Sequence, residues 1–166
     1  KPRIPSYSLS RNFSSLFYHL YNFEQKKYDY IVALCGDSLI NDPIQILSKI
    51  EEIKNKNCFA YVLKPNTNVD FHSSYCDLDN ENGTGGGRIE TINCTDFFPQ
   101  FFILNYDFCR KNKAFSNIKI TNPYTSEQCL GDELLKHFED VQDFHSKVLK
   151  IHNHDVHQAG VVLHRS

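Results

Sequence analysis

The chain has 166 residues, 40% of them hydrophobic and 23% charged, with seven Gly and six Pro. That length suits one domain with its own core, and the composition excludes disordered, collagenous and low-complexity classes. Eighteen basic against 20 acidic residues, a net charge of −2, leave no basic surplus for a sequence-independent grip on nucleic acid. No apolar run reaches the roughly 18 residues of a membrane span.

Lys1 to Arg11, with two prolines and three serines, reads as an irregular lead-in segment. There is no Met in the chain, so Lys1 is not expected to be a translation start. No stretch has the basic end and apolar core of a signal peptide. From Asn12 onward, Phe13, Leu16, Phe17, Leu20, Tyr21 and Phe23 recur at helical spacing, and the helix is expected to end near Glu24 to Lys27. Tyr28 to Cys35 is a nearly continuous apolar run and predicts a strand buried on both faces at the centre of a sheet. Gly36-Asp37-Ser38 breaks it. Asp42 then caps a helix with Pro43 at its first position, and Ile44, Ile46, Leu47, Ile50 and Ile53 supply its apolar face. Cys58 to Leu63 is the next strand, ended by Pro65. Strand, Asp-containing turn, helix and strand make a βαβ unit. Ligands of open α/β sheets bind beyond the carboxyl ends of the strands, which is where Asp37 stands.

Residues 65–88 are polar and loose and read as a flexible surface loop or an active-site lid. Asp77, Asp79 and Glu81 alternate as in a calcium loop. Gly83 comes a residue late, however, and Arg88 stands where a bidentate Glu belongs, so a calcium loop is set aside. Gly85-Gly86-Gly87 lacks the Gly-Lys-Ser/Thr of a phosphate loop. Phe97 to Asn105 predicts a buried strand, Asp107 to Phe115 a short helix, and Ile118 to Ile120 a short strand. Ser126 caps a helix carrying Leu130, Leu134, Leu135 and Phe138. Residues 145–166 form a tail with five of the eight histidines, His145, His152, His154, His157 and His164. The expected fold is therefore α/β, a single three-layer domain over 1–166 with a mostly parallel central sheet flanked by helices.

Three groups of residues carry candidate chemistry, each beside a plainer reading. Asp37 can hold a divalent cation that neutralises phosphate charge, or it is a turn residue. Asp132 and Glu133, next to Gly131, can supply a base towards a substrate hydroxyl, or they compensate a helix dipole. His152 and His154 would share one face of a strand and suit zinc or manganese with Asp155, or they belong to a polar tail. The six cysteines, Cys35, Cys58, Cys76, Cys94, Cys109 and Cys129, form no CxxC pair. Cys35, Cys58 and Cys109 read as small buried hydrophobes. A reducing, cytoplasmic setting is expected, with a processed secretory protein as the alternative. Three glycosylation sequons, at Asn12, Asn82 and Asn93, decide nothing in an Asn-rich chain.

Together these segments resemble the nucleotide-diphospho-sugar transferases of the GT-A glycosyltransferase fold. Tyr28-Asp-Tyr-Ile-Val-Ala-Leu-Cys-Gly-Asp-Ser-Leu-Ile40 is similar to that fold's strand ending in the DxD motif, and Asn41-Asp42-Pro43-Ile44 to the helix start that follows it. Ser10-Arg11-Asn12 resembles the segment that contacts the nucleotide sugar, and Asp96 to Asn105 the strand lining the acceptor side. Ser126 to Glu133 resembles the helix whose carboxylate serves as base in inverting members, and Gly160 to Arg165 the closing segment that can supply a metal-binding His.

The resemblance implies transfer of a sugar from a nucleotide-diphosphate donor to a glycan or other hydroxyl acceptor. Arg11, Asn12, Gly36 and Asp37 would then bind the nucleotide sugar, Asp37 and His164 would hold Mn²⁺ or Mg²⁺, and Asp132 or Glu133 would act as base. The first DxD position is Cys35, and a thiol is a poor ligand for magnesium. The amino-terminal βαβ half that binds the nucleotide base in that family is not expected within residues 1–166, as would also hold for a fragment of a longer chain. Those departures make a non-catalytic GT-A-like domain, serving in assembly or in carbohydrate binding, the alternative expectation. A histidine-tail metal-binding protein is the third.

Overall fold

The computed structural model describes residues 5–36, 38–64, 95, 97–119, 126–152 and 157–163. Helix α1 (Pro5–Asn22) leads to strand β1 (Tyr30–Leu34), the short β2 (Ser38–Ile40), α2 (Pro43–Asn55) and β3 (Ala60–Lys64). Then come β4 (Phe98–Asn105), α3 (Tyr106–Asn112), α4 (Ser126–Leu135), α5 (Val141–Lys147), β5 (Val148–His152) and β6 (Val161–Leu163). The protein is α/β. A four-stranded sheet has the order β1-β4-β3-β5, and β2 pairs with β6 in a separate two-stranded sheet.

Helix α1 starts at Pro5, inside the stretch expected to be irregular. Proline's fixed φ suits a first helical turn, where its missing N–H goes unneeded. Phe13 and Phe17 are the buried members of its apolar stripe. The Phe13 ring lies 5.5 Å from Phe102 and the Phe17 ring 5.3 Å from Phe115. At the other end of the helix the Tyr21 hydroxyl donates to the Ala114 carbonyl at 2.7 Å. Helix α2 opens as expected: Asp42 Oδ1 accepts from the Ile44 N–H at 3.1 Å with Pro43 behind it. Its apolar face is narrower than expected. Ile46 and Ile53 are buried, whereas Ile44 and Leu47 are 74% and 62% exposed.

The sheet departs from the mostly parallel arrangement. Strand β4 lies between β1 and β3 and runs antiparallel to both, and only the β3–β5 pair is parallel. The two strands of the expected βαβ unit do point the same way, but they are not neighbours. Nor is β1 central among the described residues: it pairs with β4 alone, and of its residues only Ala33 is buried. A continuous apolar run reports burial without reporting strand order, and β4 is the strand that takes the middle. Phe101, Phe102, Ile103 and Leu104 are completely buried there. Pro99, which cannot donate to a ladder, falls where the β3–β4 register slips between Val62 and Leu63, as a strand proline should.

Alternation along β4 feeds two cores. Phe102 and Leu104 join α1, α4 and Phe144 of α5 on one face. Phe101 and Ile103 join Ile46 and Ile53 of α2, with Ala159 and Val161, on the other. The His-containing tail is thus part of the fold: α5 precedes β5, and β5 pairs with the interior strand β3. Ile118 and Lys119 form no strand, and Ile120 and residues 65–88 lie outside the described residues.

Gly160 fastens the small sheet to α2. Its carbonyl accepts from the N–H groups of Asn41 and Asp42 at 2.9 and 3.2 Å. Its φ is +77°, and an added Cβ would stand 2.4 Å from the Asp42 carbonyl oxygen. Gly160→Ala should therefore cost roughly 2 kcal/mol or more of stability, through backbone strain and a clash with main chain. Gly36, with open space around its Cβ position, should accept alanine within about 0.5 kcal/mol. Urea unfolding of the two variants beside the parent chain measures both.

Candidate functional site

The end of β1 is built by its partner strand. The Cys35 N–H donates to the Gln100 carbonyl at 3.1 Å, and the Cys35 thiol donates to the Pro99 carbonyl at 3.2 Å. The Ser38 N–H then donates to the Cys35 carbonyl at 3.0 Å, closing a tight turn over residues 35–38. Gly36 sits exposed in that turn. Asp37 itself, and His164, lie outside the described residues. Their flanking residues are described, and Ser38 is the register partner of Leu163 in the β2–β6 pair. The residue after Asp37 and the residue before His164 therefore face one another across an antiparallel ladder.

Helix α1 approaches the same end of the sheet. Phe13 lies against Phe102, while the Leu20 carbonyl accepts from the Tyr106 hydroxyl beyond the far end of β4. The helix thus runs along β4, and its first turns point towards Gln100 and Cys35. A helix rises 1.5 Å and a strand about 3.3 Å per residue, so counting back from Phe13 and Phe102, Ser10 falls between the levels of Phe101 and Gln100. Arg11 and Asn12 are exposed on the outer side of the helix.

Several polar groups here are buried and have no hydrogen-bond partner among the described residues: Ser10 Oγ, Gln100 Oε1, Ser38 Oγ and, just before Phe97, Thr95 Oγ1. Such groups are uncommon in native structures and give this end of the sheet unused hydrogen-bonding capacity. Sequence reading passed over them. Ser10 alone leaves a trace in the sequence, as a serine one turn before Phe13 on the apolar stripe of α1.

The candidate bases lie on α4, which packs against α1. Glu133 shares a face of α4 with Cys129, Leu130 and Leu134, and is 7% exposed. Its Oε2 accepts from Lys136 Nζ at 2.7 Å. Asp132, half-buried, lines a cavity of about 460 Å³ with Leu135, Lys136, Phe138, Glu139, Asp140 and Val141. The hydrophobic neighbours of Glu133 on α4 pack into the α1 core, whereas Val161 of β6 packs into the α2 core on the opposite face. The α4 carboxylates thus lie on the face of the sheet that α1 covers, with α4 packed directly against α1, while Val161 of β6 lies on the opposite face. Phe97, Phe98, Phe101 and Phe102 are core residues, all 6% exposed or less.

Among the described residues no three His, Cys, Asp or Glu side chains group as a metal site. Strand β5 ends at His152, and His154 and Asp155 lie outside the described residues. His145 is on α5, its Nδ1 against Lys150 Nζ and its Nε2 buried without a partner, and His157 is exposed. Cys58, Cys109 and Cys129 are buried and Cys35 is half-buried. Burial pushes the Cys109 thiol up to about 12, which makes it inert. No described helix is long and apolar enough to cross a membrane. No protein family, curated protein or solved structure matches the chain.

Burial holds His137 below its ordinary value of 6.5, with the nearby Glu133 opposing the shift, and its Nε2 has no partner. The unfolded chain therefore takes up a proton that the folded ring resists, and stability falls as pH drops below about 6.5. Replacing His137 by Leu should shrink the loss in urea midpoint between pH 7.5 and 5.5. An unchanged loss would assign the acid sensitivity to other groups.

Proposed function

We propose that this chain is a GT-A-like, three-layer domain that moves a sugar from a nucleotide-diphosphate donor to a hydroxyl acceptor with the help of a divalent cation. The observation that carries the reading is the β2–β6 register. It pairs Ser38, which follows Asp37, with Leu163, which precedes His164. Those two segments are far apart in sequence, and each was singled out for a metal ligand. Asp37 and His164 would hold Mn²⁺ or Mg²⁺, and the imidazole nitrogen of the pair favours manganese over magnesium. Once bound, the ion would supply positive charge to a departing diphosphate. Arg11 and Asn12, on the first turns of α1, would bind the donor beside Gly36. Asp132 or Glu133 would accept the acceptor's proton, Asp132 being the less buried and Glu133 needing release from Lys136.

The non-catalytic alternative also has an observation in its favour. Cys35 stands where a first carboxylate would be expected, and its thiol is engaged with the Pro99 carbonyl. A domain of this kind would keep the fold for assembly or carbohydrate binding without turnover.

Calorimetric titration of UDP and GDP into the folded chain separates the two. The catalytic reading expects binding that requires Mn²⁺ and disappears in Asp37→Ala. A folded chain that binds neither nucleotide with or without Mn²⁺ would leave the non-catalytic reading standing.

A further inference from the structure

Strand β1 has an outer edge with nothing on it among the described residues. Because the Cys35 N–H points inward to Gln100, the odd-numbered residues of the strand face β4. Tyr30, Val32 and Leu34 therefore turn their N–H and C=O groups outward. Natural edges are blunted by charge, proline or a bulge. Tyr30-Ile31-Val32-Ala33-Leu34 has none of these. The large exposed apolar side chains of the described residues also all fall between Leu16 and Leu47, on β1 and the elements before and after it.

We propose that this edge is an isologous interface, on which a second copy of the chain adds its own β1 antiparallel about a two-fold axis through Val32. Three features make the surface complementary to itself. A two-fold at Val32 pairs Val32 with Val32 of the second copy and Tyr30 with its Leu34. All three outward-facing residues then exchange both hydrogen bonds with their opposites. Next, an axis normal to the sheet keeps each face with its like. Tyr30 and Val32 belong to the α2 side, so by alternation does Leu34, and the 36%-exposed Leu34 of each copy arrives beside Tyr30 of the other.

Tyr30 is also where a cavity of about 700 Å³ opens, lined by Tyr28, Leu47 and Ile50 together with it. Leu34 thus meets the Tyr30, Leu47 and Ile50 part of a cavity of mixed lining, and Leu47 is covered on the same move. Finally, the rim of that cavity carries Lys27 and Lys54 beside Asp29, Glu51 and Asp107. A rim of both signs suits a copy of itself better than a partner of one charge. The sheet would run unbroken from β5 of one copy to β5 of the other.

Sedimentation of the full chain across a dilution series should show a species of twice 19.3 kDa that dissociates reversibly. Hydrogen exchange should find the Val32 and Leu34 amides protected in the dimer and released on dilution, while the Ala33 and Cys35 amides stay protected in both states. Leu34→Lys and Leu47→Lys alter exposed side chains and should leave the circular dichroism spectrum and melting unchanged. Each should raise the dimer dissociation constant at least about tenfold, the effect of losing one well-packed contact. A chain that stays at 19.3 kDa throughout overturns the proposal. So does a dimer indifferent to both variants, or association that continues past two copies.

Discussion

Everything in this fold is hung on β4. One eight-residue strand sends alternate side chains to opposite faces of the sheet, and both cores are organised around it. It also runs against both of its neighbours. A strand that returns between the two halves of a βαβ unit separates them, yet lets α2 cover the face they share. Such a strand has to be apolar on both sides, because nothing polar can be offered to either core without a partner. Its four successive fully buried residues from Phe101 to Leu104 meet that requirement. The same strand shapes the loop that follows β1, since the main-chain oxygens of Pro99 and Gln100 hold Cys35 from below.

Beyond that loop the chain relies on a smaller device. Strand β2 has only three residues, too few to persist alone in water. It is held at one side by β6 and at its end by the Gly160 carbonyl, which takes the N–H groups of Asn41 and Asp42 together. A side chain at position 160 would meet the Asp42 carbonyl, so the close approach that makes this junction rigid is open to glycine alone. The candidate binding end of the molecule is thus assembled from residues near 10, 36, 100 and 162, which makes it a product of the tertiary fold and of no single motif.

How much of this could be read from the sequence varied with the range over which each signal acts. Asp42-Pro43 marked the start of α2 because capping is local chemistry, and the observed Asp42-to-Ile44 hydrogen bond is that chemistry. The strands at Tyr30, Ala60 and Phe98 were legible from their apolar runs. Their order was not: hydrophobicity records that a strand is covered and leaves open what covers it, so β1 read as central although β4 holds the middle. The exposure of Ile44 and Leu47 escaped for the same reason, since helical spacing cannot tell a wide buried stripe from a narrow one beside an open edge. The tail from His145 read as polar because its histidines dominate the composition, while Val148, Leu149 and Ile151, which make the strand, were outvoted. Of the candidate site, the turn at Gly36 was legible. The unpartnered hydroxyls and amide around it were not, because satisfaction of a polar group is a property of its neighbours in space.

The pairing of β2 with β6 has a consequence for the birth of the molecule. Ser38 is made long before its partner Leu163. Strand β3 likewise waits for Val148. Contacts between such distant parts of a chain form slowly, because each must close a long loop before it is rewarded. A growing polypeptide therefore leaves β2 without its partner until β6 has been made. A nascent chain released before β5 is made would expose β3 as a second unpaired edge, an invitation to aggregation.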